Sequence, residues 1–65
     1  MIPLDSSCIR GADYDPATRR MYIWFHGHGP YPFYGVPESV FTGLINAIGW
    51  HGEYYHQYIR GRFGP

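Results

Sequence analysis

The chain contains no lysine, a single cysteine and no net charge at pH 7, its five acidic residues being matched by five arginines. Each absence closes a class of explanation. Without net positive charge there is no global field to draw nucleic acid from a distance. With Cys8 alone, no disulfide can close within one chain. No apolar run approaches membrane-spanning or signal-peptide length, so the expectation is a cytoplasmic protein without membrane contact, which the lone thiol also suits. Catalysis lacks its usual constellations: there is no nucleophile–histidine triad, no paired carboxylates and no phosphate-binding glycine loop. Metal chemistry fares no better. His26, His28, His51 and His56 offer imidazoles, but His51 and His56 are five residues apart on different helix faces and no second thiol joins them, so neither a metal site nor a cofactor is expected. The turn histidines His26 and His28 read as solvated.

Sixty-five residues make one domain, and a chain so short buries only about 60% of its unfolded surface. Aromatic packing and self-association are left to supplement the core. Aromatics form 20% of the residues, with seven Tyr, four Phe and two Trp, enough to fill a small core and leave rings on the surface.

Residues 1–5 form a lead-in. A first strand runs from Ile9 to about Tyr14, where Gly11 signals a bulge or a close backbone approach. Asp15-Pro16-Ala17-Thr18 supplies a type I turn. The second strand, Met21 to His26, alternates Met21, Ile23 and Phe25 on a core face with Tyr22 and Trp24 on an open one. Gly27-His28-Gly29 makes the next turn. A third strand follows from Pro30 to Tyr34, and Pro32, having no N–H, suits an edge. Pro37 opens a helix at its first position, with Glu38 in the first turn and Val36 placed as a hydrophobic staple. Val40, Phe41, Leu44, Ile45 and Ile48 recur at helical spacing, Gly43 is consistent with a close contact, and Gly49 ends the helix. A second helix spans Glu53 to about Arg60, with Tyr55, Tyr58, Ile59 and Arg62 on one side. The expected fold is α+β: a three-stranded antiparallel meander followed by two helices packed on one face, in a single domain over residues 6–63 with a tail at 64–65.

Four of these segments, in order, resemble the KTSC domain: Tyr14-Asp15-Pro16, Tyr31-Pro32-Phe33, Gly35-Val36-Pro37-Glu38-Ser39-Val40 and Ile59-Arg60-Gly61-Arg62-Phe63. That family is named for its occurrence at the C-terminus of some lysyl-tRNA synthetases and also occurs as stand-alone bacterial and phage proteins. It has no established activity, and an RNA-binding role has been suggested from the synthetase context. This chain departs from the family pattern at Trp50-His51-Gly52, where members tend to read Ser-Lys-Gly, and at His56, where Asn is usual. Tyr22 and Trp24 stand at commonly charged positions, and Pro32 replaces a residue that is often basic. Each departure lowers charge and raises aromatic area.

The resulting expectation is a non-catalytic binding module. Arg60 and Arg62, with Tyr55, His56, His51 and Tyr31, form the candidate site for RNA or a nucleotide, since arginine beside aromatic rings can hold a phosphate and stack a base. The competing reading has the arginines paired with Asp13, Asp15 or Glu53 and the tyrosines filling the core. Tyr22 and Trp24 suit a second role, a protein-interaction or homo-oligomer interface on the open sheet face. An oligomeric binder of small nucleotide signals is the third alternative.

Overall fold

A computed structural model describes residues 1–64. Four antiparallel strands and two helices follow one another: β1 (Ile2–Pro3), β2 (Ile9–Asp15), β3 (Arg20–Phe25), β4 (His28–Phe33), α1 (Glu38–Asn46) and α2 (His51–Tyr58). The sheet order is β1-β2-β3-β4, a meander with β1 and β4 at its edges.

The sheet therefore has one strand more than the three expected. The added strand is the N-terminal lead-in, where Ile2 pairs with Ala12 and Pro3 with Gly11. Two residues give no alternation to read, and the reason they pair lies in β2. A Cβ at Gly11 would lie 2.5 Å from the Met1 sulfur and 2.7 Å from the Ile2 carbonyl oxygen, so only glycine lets this segment close. Gly11 also follows a register shift against β3, giving both features expected of it. The Met1 ammonium lies 3.2 Å from an Asp13 carboxylate oxygen, securing the same strand electrostatically.

The β2–β3 turn holds as a hairpin, with the Ala17 N–H donating to Oδ1 of Asp15 at 3.0 Å. The next reversal is tighter than Gly27-His28-Gly29. It occupies His26 and Gly27, with Gly27 at φ 88°, and His28 and Gly29 belong to β4. A register shift between Ile23 and Phe25 then sets His28 opposite Phe25. Nor are the turn histidines simply solvated. An imidazole nitrogen of His26 (Nε2) donates to the Ser6 carbonyl at 2.7 Å, and His28 stacks on Phe25.

Met21 and Ile23 are fully buried, with Ile9, Ala12, Phe33, Val36, Leu44 and Ile59 completing the core on the helix side. Val36 is pinned to the sheet: its N–H donates to the Arg19 carbonyl at 3.0 Å, and its carbonyl accepts from the Tyr14 hydroxyl at 2.6 Å. Pro37 caps α1 from outside rather than occupying its first turn.

Helix α1 ends earlier than its apolar pattern suggests, leaving Ile48 82% exposed instead of in the stripe. In a continuing helix the Leu44 carbonyl would accept from Ile48. Here it accepts from the Ala47 N–H at 3.2 Å and from Nδ1 of the buried His51 at 2.7 Å. Because a carbonyl only accepts, that nitrogen carries the proton. His51 thus closes α1 while opening α2, which starts and stops two residues earlier than expected. Tyr58 also leaves the predicted stripe. It is exposed and packs beside Tyr54 at a ring separation of 4.7 Å, whereas Ile59 is buried.

Candidate aromatic cleft

A cleft of about 590 Å³ lies between the edge of the sheet, α2 and the C-terminal segment. Phe25 and Phe33 reach it from the core face of the sheet, Tyr31 from the edge strand, Tyr55 from α2 and Phe63 from the closing segment. Tyr55 meets Phe25 edge-on at 5.2 Å and Phe33 at 6.2 Å. His28 sits 5.6 Å from Phe25 and 5.4 Å from Tyr31. These separations lie within the range where aromatic pairs attract, so the rings hold one another in place. Tyr31 is nonetheless 44% exposed, leaving ring surface for a ligand.

Arg60 and His56 supply the polar rim. An Arg60 guanidinium nitrogen (Nη1) lies 3.4 Å from Nδ1 of His56. The guanidinium can only donate, so this nitrogen of His56 accepts and the other carries the proton. Among the described residues no arginine pairs with a carboxylate: Asp13 takes the N-terminal ammonium, and Asp15 accepts a backbone N–H within its turn. The ion-paired reading of the arginines therefore fails. Among the described residues no carboxylate lines the cleft, while Arg60 stands at its rim, an arrangement that suits an anion better than a cation.

Four of the expected site residues, Tyr31, Tyr55, His56 and Arg60, converge on this cleft. Two do not. His51 is buried at the helix junction against Leu44, and Arg62 turns away, its Nε donating to the Gln57 carbonyl at 3.0 Å. Arg62 ties the closing segment to α2 and so fixes one wall of the cleft. Tyr22 and Trp24 lie on the helix-free face, as alternation along β3 requires, but both are half-buried. Sequence reading left out Phe25, Phe33, His28, Phe63 and Cys8. Phe25 and Tyr31 could have been joined from strand alternation, whereas His28 comes into place through the register shift.

Burial raises the Tyr55 hydroxyl above its ordinary pKa of 10.0, the Cys8 thiol adding to the shift and Arg60 opposing it. Tyr54 is also raised, first by burial and then by Tyr58. Above pH 10.0 the unfolded chain therefore holds fewer protons than the folded one. The stability from these rings should be fully present below pH 10.0 and decline as the pH rises through the folded-state values. Thermal melts between pH 8 and 11 would reveal this as a midpoint that is flat at first and then falls; a midpoint rising across that window would contradict it.

No helix among the described residues is long and apolar enough to cross a membrane. The KTSC domain profile matches residues 5–63. The chain is 36% identical over 63 residues to a protein of Tsukamurella paurometabola, covering 97% of this chain and 92% of that one. It is 32% identical over 59 residues to a lysine–tRNA ligase of a Nostoc species, covering 91% of this chain but only 10% of the ligase. The crystal structure of a KTSC domain protein from Yersinia pestis superimposes with a TM-score of 0.87 at 34% identity, covering 94% of this chain and 84% of the other. The chain belongs to the KTSC domain family.

Proposed function

We propose that this protein is a non-catalytic binding module that takes an unpaired base of single-stranded RNA into the aromatic cleft, with Arg60 holding the adjoining phosphate. The observation that carries this reading is the union of five aromatic rings with one guanidinium that pairs with no carboxylate among the described residues. A cleft of about 590 Å³ falls within the range of small-ligand sites, roughly 300–1,000 Å³. Its chemistry suits a flat ring with an attached anion. Stacking on aromatic side chains is how unpaired bases are commonly held, and the guanidinium fork matches phosphate oxygens. Similarity to a segment of a lysine–tRNA ligase supports RNA as the macromolecule, though the segment is too small a part of the ligase to carry its activity. Neutral overall charge makes the binding depend on contacts within the cleft rather than on a long-range field.

Cys8 provides a direct test because its half-buried thiol lines the cleft. A saturating uridine tetranucleotide should slow alkylation of Cys8 severalfold, as followed by intact mass. Alkylation at the same rate with and without RNA would place any bound RNA elsewhere.

A further inference from the structure

We infer that the sheet edge carries a second stacking subsite, formed on the helix-free face by Tyr34, just past β4, and Arg20 at the start of β3, so that the ligand is a strand crossing this edge rather than a free nucleotide. This inference rests on the cleft reading above.

Three observations support it. First, the Arg20 guanidinium carbon stands 5.2 Å from the centroid of the Tyr34 ring, a preassembled cation–π pair. Tyr34 is 44% exposed, as exposed as Tyr31 in the cleft. Such a pair offers a ring for a base and a guanidinium for the next phosphate.

Second, among the described residues Arg20 has no competing anion in contact. Asp15 is its partner in register, but Oδ1 of Asp15 is engaged by the Ala17 N–H at 3.0 Å, and no carboxylate of the described residues approaches Arg20 within ion-pair distance.

Third, the edge between the two sites is open to a strand of nucleic acid but poorly suited to another β-strand. Pro30 and Pro32 remove two N–H donors from β4, so a protein strand adding to this edge would find its hydrogen-bonding ladder interrupted. Tyr31 and Tyr34 are three residues, or roughly 10 Å, apart along the chain. That odd spacing sends their rings to opposite faces of the edge. A single strand passing over the edge would meet Tyr31 on one side and Tyr34 on the other.

The test compares uridine monophosphate with a uridine tetranucleotide on the full chain, by calorimetry or NMR titration. Wild type should bind the tetranucleotide at least tenfold more tightly than the monophosphate. Tyr34→Ala should weaken the tetranucleotide by at least about fivefold, the lower end of a single base–aromatic stack, and leave the monophosphate unchanged. Arg20→Gln, a milder exposed change, should act in the same direction and reduce the salt slope of tetranucleotide binding by about one.

If both variants bind the tetranucleotide like wild type while Arg60→Ala does not, the second subsite is overturned and the cleft reading stands. Equal weakening of both ligands by Tyr34→Ala would show an effect on cleft shape and would also overturn it. If neither ligand binds the wild-type protein, the cleft reading fails and the second subsite with it.

Discussion

Replacing Arg60 by alanine is expected to weaken binding of a short single-stranded RNA by about 10- to 100-fold while leaving the melting temperature almost unchanged. A hydrogen bond to a charged group is worth about 1.5–3 kcal/mol, and each 1.4 kcal/mol is a tenfold change in affinity. The expectation of an unchanged fold comes from the surroundings of Arg60. Its side chain is exposed, makes no ion pair among the described residues, and its one side-chain hydrogen bond among them is the 3.4 Å contact with His56. Arg60→Lys separates charge from geometry: lysine keeps the positive charge but loses the planar fork, so partial recovery is expected. Arg62→Ala is the contrasting variant. It should lower stability slightly by releasing the Gln57 carbonyl, with a smaller effect on affinity. Titration calorimetry beside thermal melts would separate the two arginines. Parallel losses of stability and affinity in Arg60→Ala would assign Arg60 a structural role instead.

The second large effect concerns the packing of α1 on α2. Gly43→Ala should destabilise the protein by about 2 kcal/mol, although alanine is the better helix former by about 1 kcal/mol. A Cβ at position 43 would land on the Tyr54 hydroxyl and lie 2.7 Å from the ring carbon that bears it. To make room, Tyr54 would have to move, giving up its 3.0 Å hydrogen bond to the Val40 carbonyl and its contacts with Trp50 and Tyr58. The obstacle is side chain rather than helix backbone, so the sign should reverse once it is removed. In a Tyr54→Ala background, Gly43→Ala should stabilise by up to about 1 kcal/mol, its helix-propensity gain alone. Urea denaturation of the four proteins in this cycle measures the coupling directly. A destabilising Gly43→Ala in both backgrounds would rule out Tyr54 as the reason for glycine here.

The same residues show what could be read in the sequence. Alternation along Met21–Phe25 correctly assigned Met21 and Ile23 to the helix side, and Pro32 correctly marked an edge strand. Gly11 and Gly43 signalled close approaches, but not to which groups, since a missing Cβ does not name its neighbour. The first strand escaped notice because two residues carry no period. The end of α1 escaped because the histidine that closes it follows the helix and acts through a side-chain bond to the Leu44 carbonyl.

The site was legible to a similar depth. Arg60, His56 and Tyr55 are close in sequence on or beside one helix, and Tyr31 joins them across the fold. Spacing alone could not separate Arg60 from Arg62, which differ only in which way the chain turns after Ile59, with Gly61 at φ 76°. His28 depended on a register shift with no distinctive sequence signal.

The measurement that bears most directly on RNA binding at the cleft is an amide and aromatic NMR titration of labelled protein with a uridine tetranucleotide, at low and at physiological salt. The shifts should cluster at Tyr31, Tyr55, His56 and Arg60, persist at the higher salt, and be lost in Arg60→Ala. Shifts that are absent, or diffuse and abolished by salt, would contradict binding at this cleft, because they would leave only nonspecific charge attraction.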